Sequence, residues 1–187
     1  MSEPLDEYHL VKRLKEKNSL AWKEMYSRYI GKLVVICRRY IKGIDDERDV
    51  LQNSFVKMFS QIEGFHYRGN GALYAWMSKI VVNESLQFLR KKGLEYDDNV
   101  VWDTVAIVES DNLTNELTEA EMIKFIQSLP DGYRTIFNLY VFEEKTHVEI
   151  AEMLGISEGT SASQLFRAKK LLAAQIKEYQ QSKIEVS

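Results

Sequence analysis

Thr146–Leu172 reads THVEIAEMLGISEGTSASQLFRAKKLL: a short helical pattern, a tight break, then a longer helical pattern. Thr146 and Glu149 stand at capping-box spacing, and Ile150, Ala151 and Leu154 share one helical face. Gly155 suits the left-handed residue that ends a helix, and Ser157 suits the cap of the next. In that second helix the spacing turns Leu165, Ala168, Leu172 and Ile176 inward. It puts Thr160, Ser163 and Arg167 on the opposite face, where they can hydrogen-bond or pair with phosphate. These residues predict a helix-turn-helix. An ordinary helical hairpin also fits the apolar spacing. The Gly-Ile-Ser break, the two caps and the basic end Arg167-Ala168-Lys169-Lys170 favour the first reading.

Working back from this hairpin, Tyr133–Phe142 predicts a helix packing Ile136, Phe137, Tyr140 and Val141. Pro130-Asp131-Gly132 separates it from another, Thr118–Leu129, with a second capping box (Thr118, Glu121) and a stripe of Met122, Phe125, Ile126 and Leu129. Residues 93–123 differ in composition, with nine acidic side chains and no lysine or arginine. The whole chain carries −3, so the residues outside that stretch are net positive by six. A net-basic remainder, divided by an anionic connector, follows. Val100–Val108 is apolar enough to dock, as a short strand or irregular segment rather than a helix.

The N-terminal lobe is helical by the same period. Tyr8–Lys17 carries Leu10, Val11 and Leu14, and Asn18-Ser19 breaks it, with Ser19 as cap of a long helix to about Lys42. That helix is expected to bury Trp22, Met25, Tyr29, Leu33, Ile36, Cys37 and Tyr40, and Gly43 to end it. Asp45 begins a third helix with acids at its positive end and a stripe of Leu51, Phe55, Met58, Phe59 and Ile62. Arg48, Asp49, Gln52, Asn53 and Lys57 stay outside. The loop Gly64–Gly71, GFHYRGNG, leads to a fourth helix that packs Trp76, Met77, Ile80 and Val81 and ends at Arg90-Lys91-Lys92. Aromatic and basic residues interleave here, a pattern that suits stacking of single-stranded bases along a tracked backbone. Trp76 and Phe88 are assigned to the core, whereas Tyr67 and Arg68 sit in the glycine-flanked loop.

A chain of 187 residues with 45% hydrophobic content supports one large or two small packed domains. The single cysteine, Cys37, excludes an internal disulfide and reads as a small buried hydrophobe in a reducing compartment. The acidic start MSEPLDEYHL lacks an apolar signal core, and no apolar run approaches a membrane span, so a cytoplasmic location is expected. His9, His66 and His147 lie in separate segments without a partner at metal-ligand spacing, which argues against a metal enzyme or hydrolase. The class is all-α, with two helical domains.

The order of the pieces resembles a family. SLPDGYRTIFNLYVFEEKTHVEIAEMLGISEGTSASQLFRAKKLL is similar to the C-terminal DNA-binding region of bacterial sigma factors, in particular the small extracytoplasmic-function branch. DDERDVLQNSFVKMFSQIEGF resembles that family's polymerase-binding helix, and YRGNGALYAWMSKIVVNESLQFLRKK its promoter-melting segment. The resemblance covers about residues 8–92 and 117–177. It implies a region 2-like domain at 1–92, an acidic linker at 93–116 and a region 4-like domain at 117–187. It also implies binding to RNA polymerase core through the β′ and β subunits, binding to duplex and melted promoter DNA, and control by an anti-sigma factor. No cofactor, metal, small-molecule substrate or catalysis is implied.

Site residues follow from the same resemblance. Thr160, Ala162, Ser163, Phe166, Arg167 and Lys170 match positions that meet the −35 duplex, with Arg167 the foremost candidate. Ala162 and Gln164 stand where basic residues are common, which weakens non-specific backbone attraction. Tyr67, Arg68, Asn70, Gly71, Ala72 and Asn83 match the pocket for a base flipped from the −10 strand, and Arg90 and Lys91 would touch duplex phosphates. Asp45, Arg48, Asp49, Gln52 and Asn53 match the polymerase-binding face, where Asn53 replaces a usual acid. The linker's acids would occupy a basic polymerase channel as an RNA mimic. A plain helix-turn-helix regulator with residues 1–92 as a sensing or dimerisation domain is the alternative, and a structural partner protein would not need the base-reading face.

Overall fold

The computed structural model describes residues 6–94 and 117–185. The acidic linker, Val100–Val108 included, falls outside the described residues. Among those residues there are eight α-helices, one 3-10 turn and no strand. No helix among them is long and apolar enough to cross a membrane. The chain divides into two compact units between Lys92 and Gly93.

The first unit holds α1 (Glu7–Lys15), α2 (Ser19–Tyr40), α3 (Ile44–Gln61), the 3-10 turn Ile62–Gly64 and α4 (Ala72–Lys91). Helices α2, α3 and α4 pack on one another, and α1 lies against α2 and the 3-10 turn. Leu10, Leu14, Met25, Leu33, Met58, Ile62, Leu73 and Met77 are buried in this core. Each such side chain contributes about 1.5–3 kcal/mol on burial.

The boundaries of α2 and α3 differ from the sequence reading. Asn18, not Ser19, caps α2, its side chain accepting from the Ala21 N–H at 3.1 Å. Asparagine caps as well as serine does. Helix α2 stops at Tyr40 with Ile41 extended, and Gly43 is instead the N-cap of α3, which starts at Ile44.

The buried stripe of α3 is rotated from the expected one. Glu47, Val50, Leu51, Ser54 and Met58 are buried, whereas Phe59 is 51% exposed and Phe55 only half-buried. The two polar members are satisfied: Arg38 Nε donates to Glu47 at 2.8 Å, and Ser54 Oγ donates to the Val50 carbonyl at 2.7 Å. A stripe chosen by apolarity alone passes over both. Trp22, expected in the core, is half-buried beside Phe59 with ring centroids 5.1 Å apart. Cys37 is fully buried, and burial, then the neighbouring Glu47, pushes its thiol up to about 12.

The second unit holds α5 (Glu119–Ser128), α6 (Asp131–Val141), α7 (His147–Leu154) and α8 (Glu158–Glu185), with the other three packed on α8. Leu129, Ala168 and Leu172 form a buried centre against Phe125, Tyr133 and Phe137. The predicted capping boxes at Thr118/Glu121 and Thr146/Glu149 both form. Gly155 takes the left-handed conformation at φ +70°, and Ser157 Oγ accepts from the Thr160 N–H at 2.9 Å. Tyr140 and Val141, expected to pack, are exposed, because α6 turns Thr135, Ile136 and Leu139 inward instead. Arg134 is also buried there, 1% exposed, donating to the Leu129 carbonyl at 3.0 Å and to Asp131 at 2.9 Å. It satisfies a carbonyl at the end of α5, where a cation complements the helix dipole. Burial lowers its pKa, and Asp131 opposes that shift.

Candidate nucleic-acid interfaces

Helix α8 presents a narrower outward face than its sequence suggests. Its successive parts lie against different helices. Ser161 Oγ meets His147 Nδ1 of α7 at 2.9 Å, Arg167 donates to the Tyr133 hydroxyl of α6 at 3.1 Å, and Gln175 accepts from Ser128 of α5 at 2.8 Å. The first two turns are therefore enclosed on more than one side. Thr160 and Ser163, expected outside, are 7% and 5% exposed, and this corrects the reading of both. The Thr160 hydroxyl bonds with Ser157 Oγ at 2.7 Å, and Ser163 donates to the Thr160 carbonyl at 3.0 Å. Gln164 is also buried. The open arc is Glu158, Gly159, Phe166, Lys169 and Lys170, with Ala162 and Arg167 half-buried along it.

His147 is half-buried at the start of α7. Its ring stacks on Tyr140 at 4.9 Å, and Lys169 Nζ lies 5.6 Å from the Tyr140 ring centre. These contacts fix the angle between the two helices of the hairpin and hold the exposed arc in place. Sequence reading could not find them, since they join residues that are far apart in the chain.

The second face belongs to the loop before α4. Phe65 is buried with its ring 5.1 Å from Trp76, which fixes the start of the loop. Arg68 and Asn70 are exposed, and Tyr67 donates to Asn70 Oδ1 at 2.9 Å. Gly69 and Gly71 sit at φ +117° and +88°, where a side chain is strained. Gly71 is the N-cap of α4 and brings no side chain to satisfy the helix's free N–H groups. Glu7 of α1 supplies the acceptor. Its carboxylate accepts from the Gly71 and Leu73 N–H groups, both at 3.0 Å, and from the Tyr29 hydroxyl at 3.3 Å. Tyr8 lies edge-on to Tyr67 at 5.6 Å. Partial burial, then Asp6 and Glu7, raises the pKa of the Tyr67 phenol.

Beyond the loop, Ala75, Lys79, Asn83, Gln87 and Arg90 form one exposed ridge along α4. Lys91 is exposed beside it, while Lys92 is engaged by Asp46 and by the Phe88 ring. Trp76 and Phe88 are half-buried at its flanks rather than in the core. Asn83 stands three helical turns, about 16 Å, beyond Ala72.

A third face lies outside α3. Asp45, Arg48, Asp49, Gln52 and Asn53 are all exposed as expected. Arg48 reaches Asp45 at 3.4 Å, a surface pair worth little energetically. The same face continues into Val56, 62% exposed, and Phe59, so polar and apolar groups adjoin on it. Lys57, expected outside, is half-buried and tied to Glu84 and Gln87 of α4. No group of three or more histidine, cysteine or acidic side chains among the described residues is placed to hold a metal.

Comparison with known proteins places these faces in a family. The model described as Sigma-70 region 2 matches residues 25–95, and Sigma-70, region 4 matches residues 119–172. The ECF RNA polymerase sigma-E factor of Haemophilus influenzae is 30% identical, over 94% of this chain and 98% of its own length. Those of Salmonella typhimurium LT2 and Escherichia coli K12 are 29% and 28% identical, each over 92% of this chain and 95% of theirs. A solved structure of CnrH in complex with the cytosolic domain of CnrY aligns over 90% of this chain and 96% of that one, at 20% identity and a TM-score of 0.48. With both regions present in order and a relative matched nearly end to end, the chain belongs to the extracytoplasmic-function branch of the sigma-70 family of RNA polymerase sigma factors.

Proposed function

We propose that this sigma factor holds a promoter at two points, one in each unit, and acts by binding rather than by catalysis. Residues 1–92 serve as the region 2 domain and 117–187 as the region 4 domain. In the second unit, Ala162, Phe166, Arg167 and Lys170 face the −35 duplex, joined by Lys169. Thr160 and Ser163 support that surface from inside. A helix lying in the major groove offers its outward arc to base edges and its flanking cations to phosphates, which suits this set.

In the first unit, Tyr67, Arg68, Asn70, Gly71 and Ala72 take a base unstacked from the −10 strand. Asn83, from the helix that follows, supplies hydrogen bonds to that base's edge. Lys79, Arg90 and Lys91 follow the phosphates. The exposed ridge leading away from a glycine-built loop is the observation that carries this reading. A plain regulator has no use for a track of that kind beside its duplex-reading helix.

The outer face of α3 docks on the polymerase core through Asp45, Arg48, Asp49, Gln52 and Asn53, with the β′ and β subunits as the surfaces engaged. On charge alone, the linker at 93–116 occupies a basic channel of the polymerase until the transcript displaces it. A cytoplasmic location and an anti-sigma factor that covers one or more of these faces complete the proposal. Run-off transcription with purified core polymerase on genomic fragments tests it. Discrete start sites that depend on this chain are expected, and their absence defeats the reading.

A further inference from the structure

We infer that Glu7 is a positioning residue for capture of the melted strand. It sets the shape of the loop that receives the base and never touches the base itself. The inference rests on the proposed role of the Tyr67–Ala72 loop. Four observations support it. First, α4 begins at Gly71 without a cap of its own, and the Gly71 and Leu73 N–H groups both donate to one carboxylate, at 3.0 Å each. Second, that carboxylate is itself held, by the Tyr29 hydroxyl at 3.3 Å, and Glu7 is 9% exposed, so it cannot swing into solvent without leaving the buried Leu73 N–H and the part-buried Gly71 N–H unmet. Third, the neighbouring Tyr8 ring packs on Tyr67, so the first turn of α1 contacts both ends of the loop. Fourth, the N-terminus of a helix attracts anions. With a carboxylate already seated there, the N-terminus of α4 is closed to a phosphate. The loop then receives the uncharged part of a nucleotide, and the strand's phosphates are left to Arg68 and the ridge. Glu7 thus sets which end of the nucleotide enters.

The test uses holoenzyme assembled from core polymerase and the full chain, with fluorescein-labelled oligonucleotides from the non-template strand of a promoter found by run-off. One oligonucleotide is intact, and each of the others has a single abasic position. With the wild-type chain, affinity should fall at the captured position by about 10-fold, the effect of losing one stacked base. Glu7→Gln keeps the shape but leaves one acceptor oxygen for two N–H donors. It should weaken the intact oligonucleotide by about 10-fold and abolish the dip at that position. Core affinity and affinity for duplex −35 DNA should not change. Tyr29→Phe, which removes only the outer bond to Glu7, should shift the profile in the same direction by less, and it covers the case in which Glu7→Gln folds poorly. A merely structural loss would lower every oligonucleotide equally and keep the dip, which overturns the positioning role. So would a wild-type dip that survives both substitutions intact. A flat profile with the wild-type chain would instead defeat base capture itself.

Discussion

Helices α7 and α4 each open one of the two surfaces proposed to face DNA, and they are capped in opposite ways. Helix α7 is capped from within three residues: the Glu149 N–H donates to Thr146 Oγ1 at 3.2 Å, and the Thr146 N–H donates back to Glu149 at 2.9 Å. Helix α4 has no local cap and takes its acceptor from Glu7, 64 residues before Gly71. The difference separates what forms with the local chain from what forms only with the fold. The start of the helix-turn-helix is defined by its own sequence. The base-receiving loop has its shape only once α1 is docked, so its order is tied to the packing of the whole first unit.

Substitutions can widen or erase that contrast. Glu7→Ala should have the largest effect, about 2 kcal/mol from one buried and one part-buried donor left without an acceptor. The loss should be confined to the first unit, and amide exchange across 67–75 should accelerate well before exchange in α8. Gly71→Ala comes next. Nothing lies within 4 Å of an added Cβ, so the penalty is that of a left-handed φ alone, about 1–2 kcal/mol. Thermal unfolding followed by circular dichroism measures it. Thr146→Ala should cost about 1 kcal/mol, in the second unit only. Equal effects of Thr146→Ala and Glu7→Ala on the two units would break the comparison. Lys170→Ala should weaken duplex binding by the holoenzyme about equally across sequences and reduce the salt slope by about 1.

The smallest effect is on pH. The Lys145 ammonium first, then the Thr146 backbone, lowers Glu149 to about 2. The Tyr179 hydroxyl, then Thr118 and Lys183, does the same to Glu121. A carboxyl with a depressed folded pKa contributes stability that is present above its unfolded value, near 4.5, and is lost as pH falls toward 2. Both groups are only half-buried, so solvent screens these contacts and the change should be modest. Urea unfolding at pH 5 and pH 3 should show a smaller decline in Glu149→Gln than in the wild type.

Legibility in the sequence follows the same divide. Features that rest on a few neighbouring residues could be read: both capping boxes, Gly155, Ser157, the inward row from Leu165 to Ile176, and the exposed acids and amides of α3. Features that need a distant partner could not. Glu47 and Ser54 are core residues because Arg38 and a backbone carbonyl satisfy them. Thr160 and Ser163 are buried because α6 and α7 enclose the start of a helix that the periodicity treats as one-sided. Glu7 gave no signal beyond its position in the first turn of α1.

The central claim is a two-point grip that depends on polymerase. Permanganate reactivity combined with DNase footprinting, on a promoter mapped by run-off, tests it most directly. The account predicts unstacked −10 thymines and protection of the −35 duplex together, only when core polymerase and this chain are both present. A sequence-specific duplex footprint by the chain alone, with no reactive thymines when core is added, would contradict it.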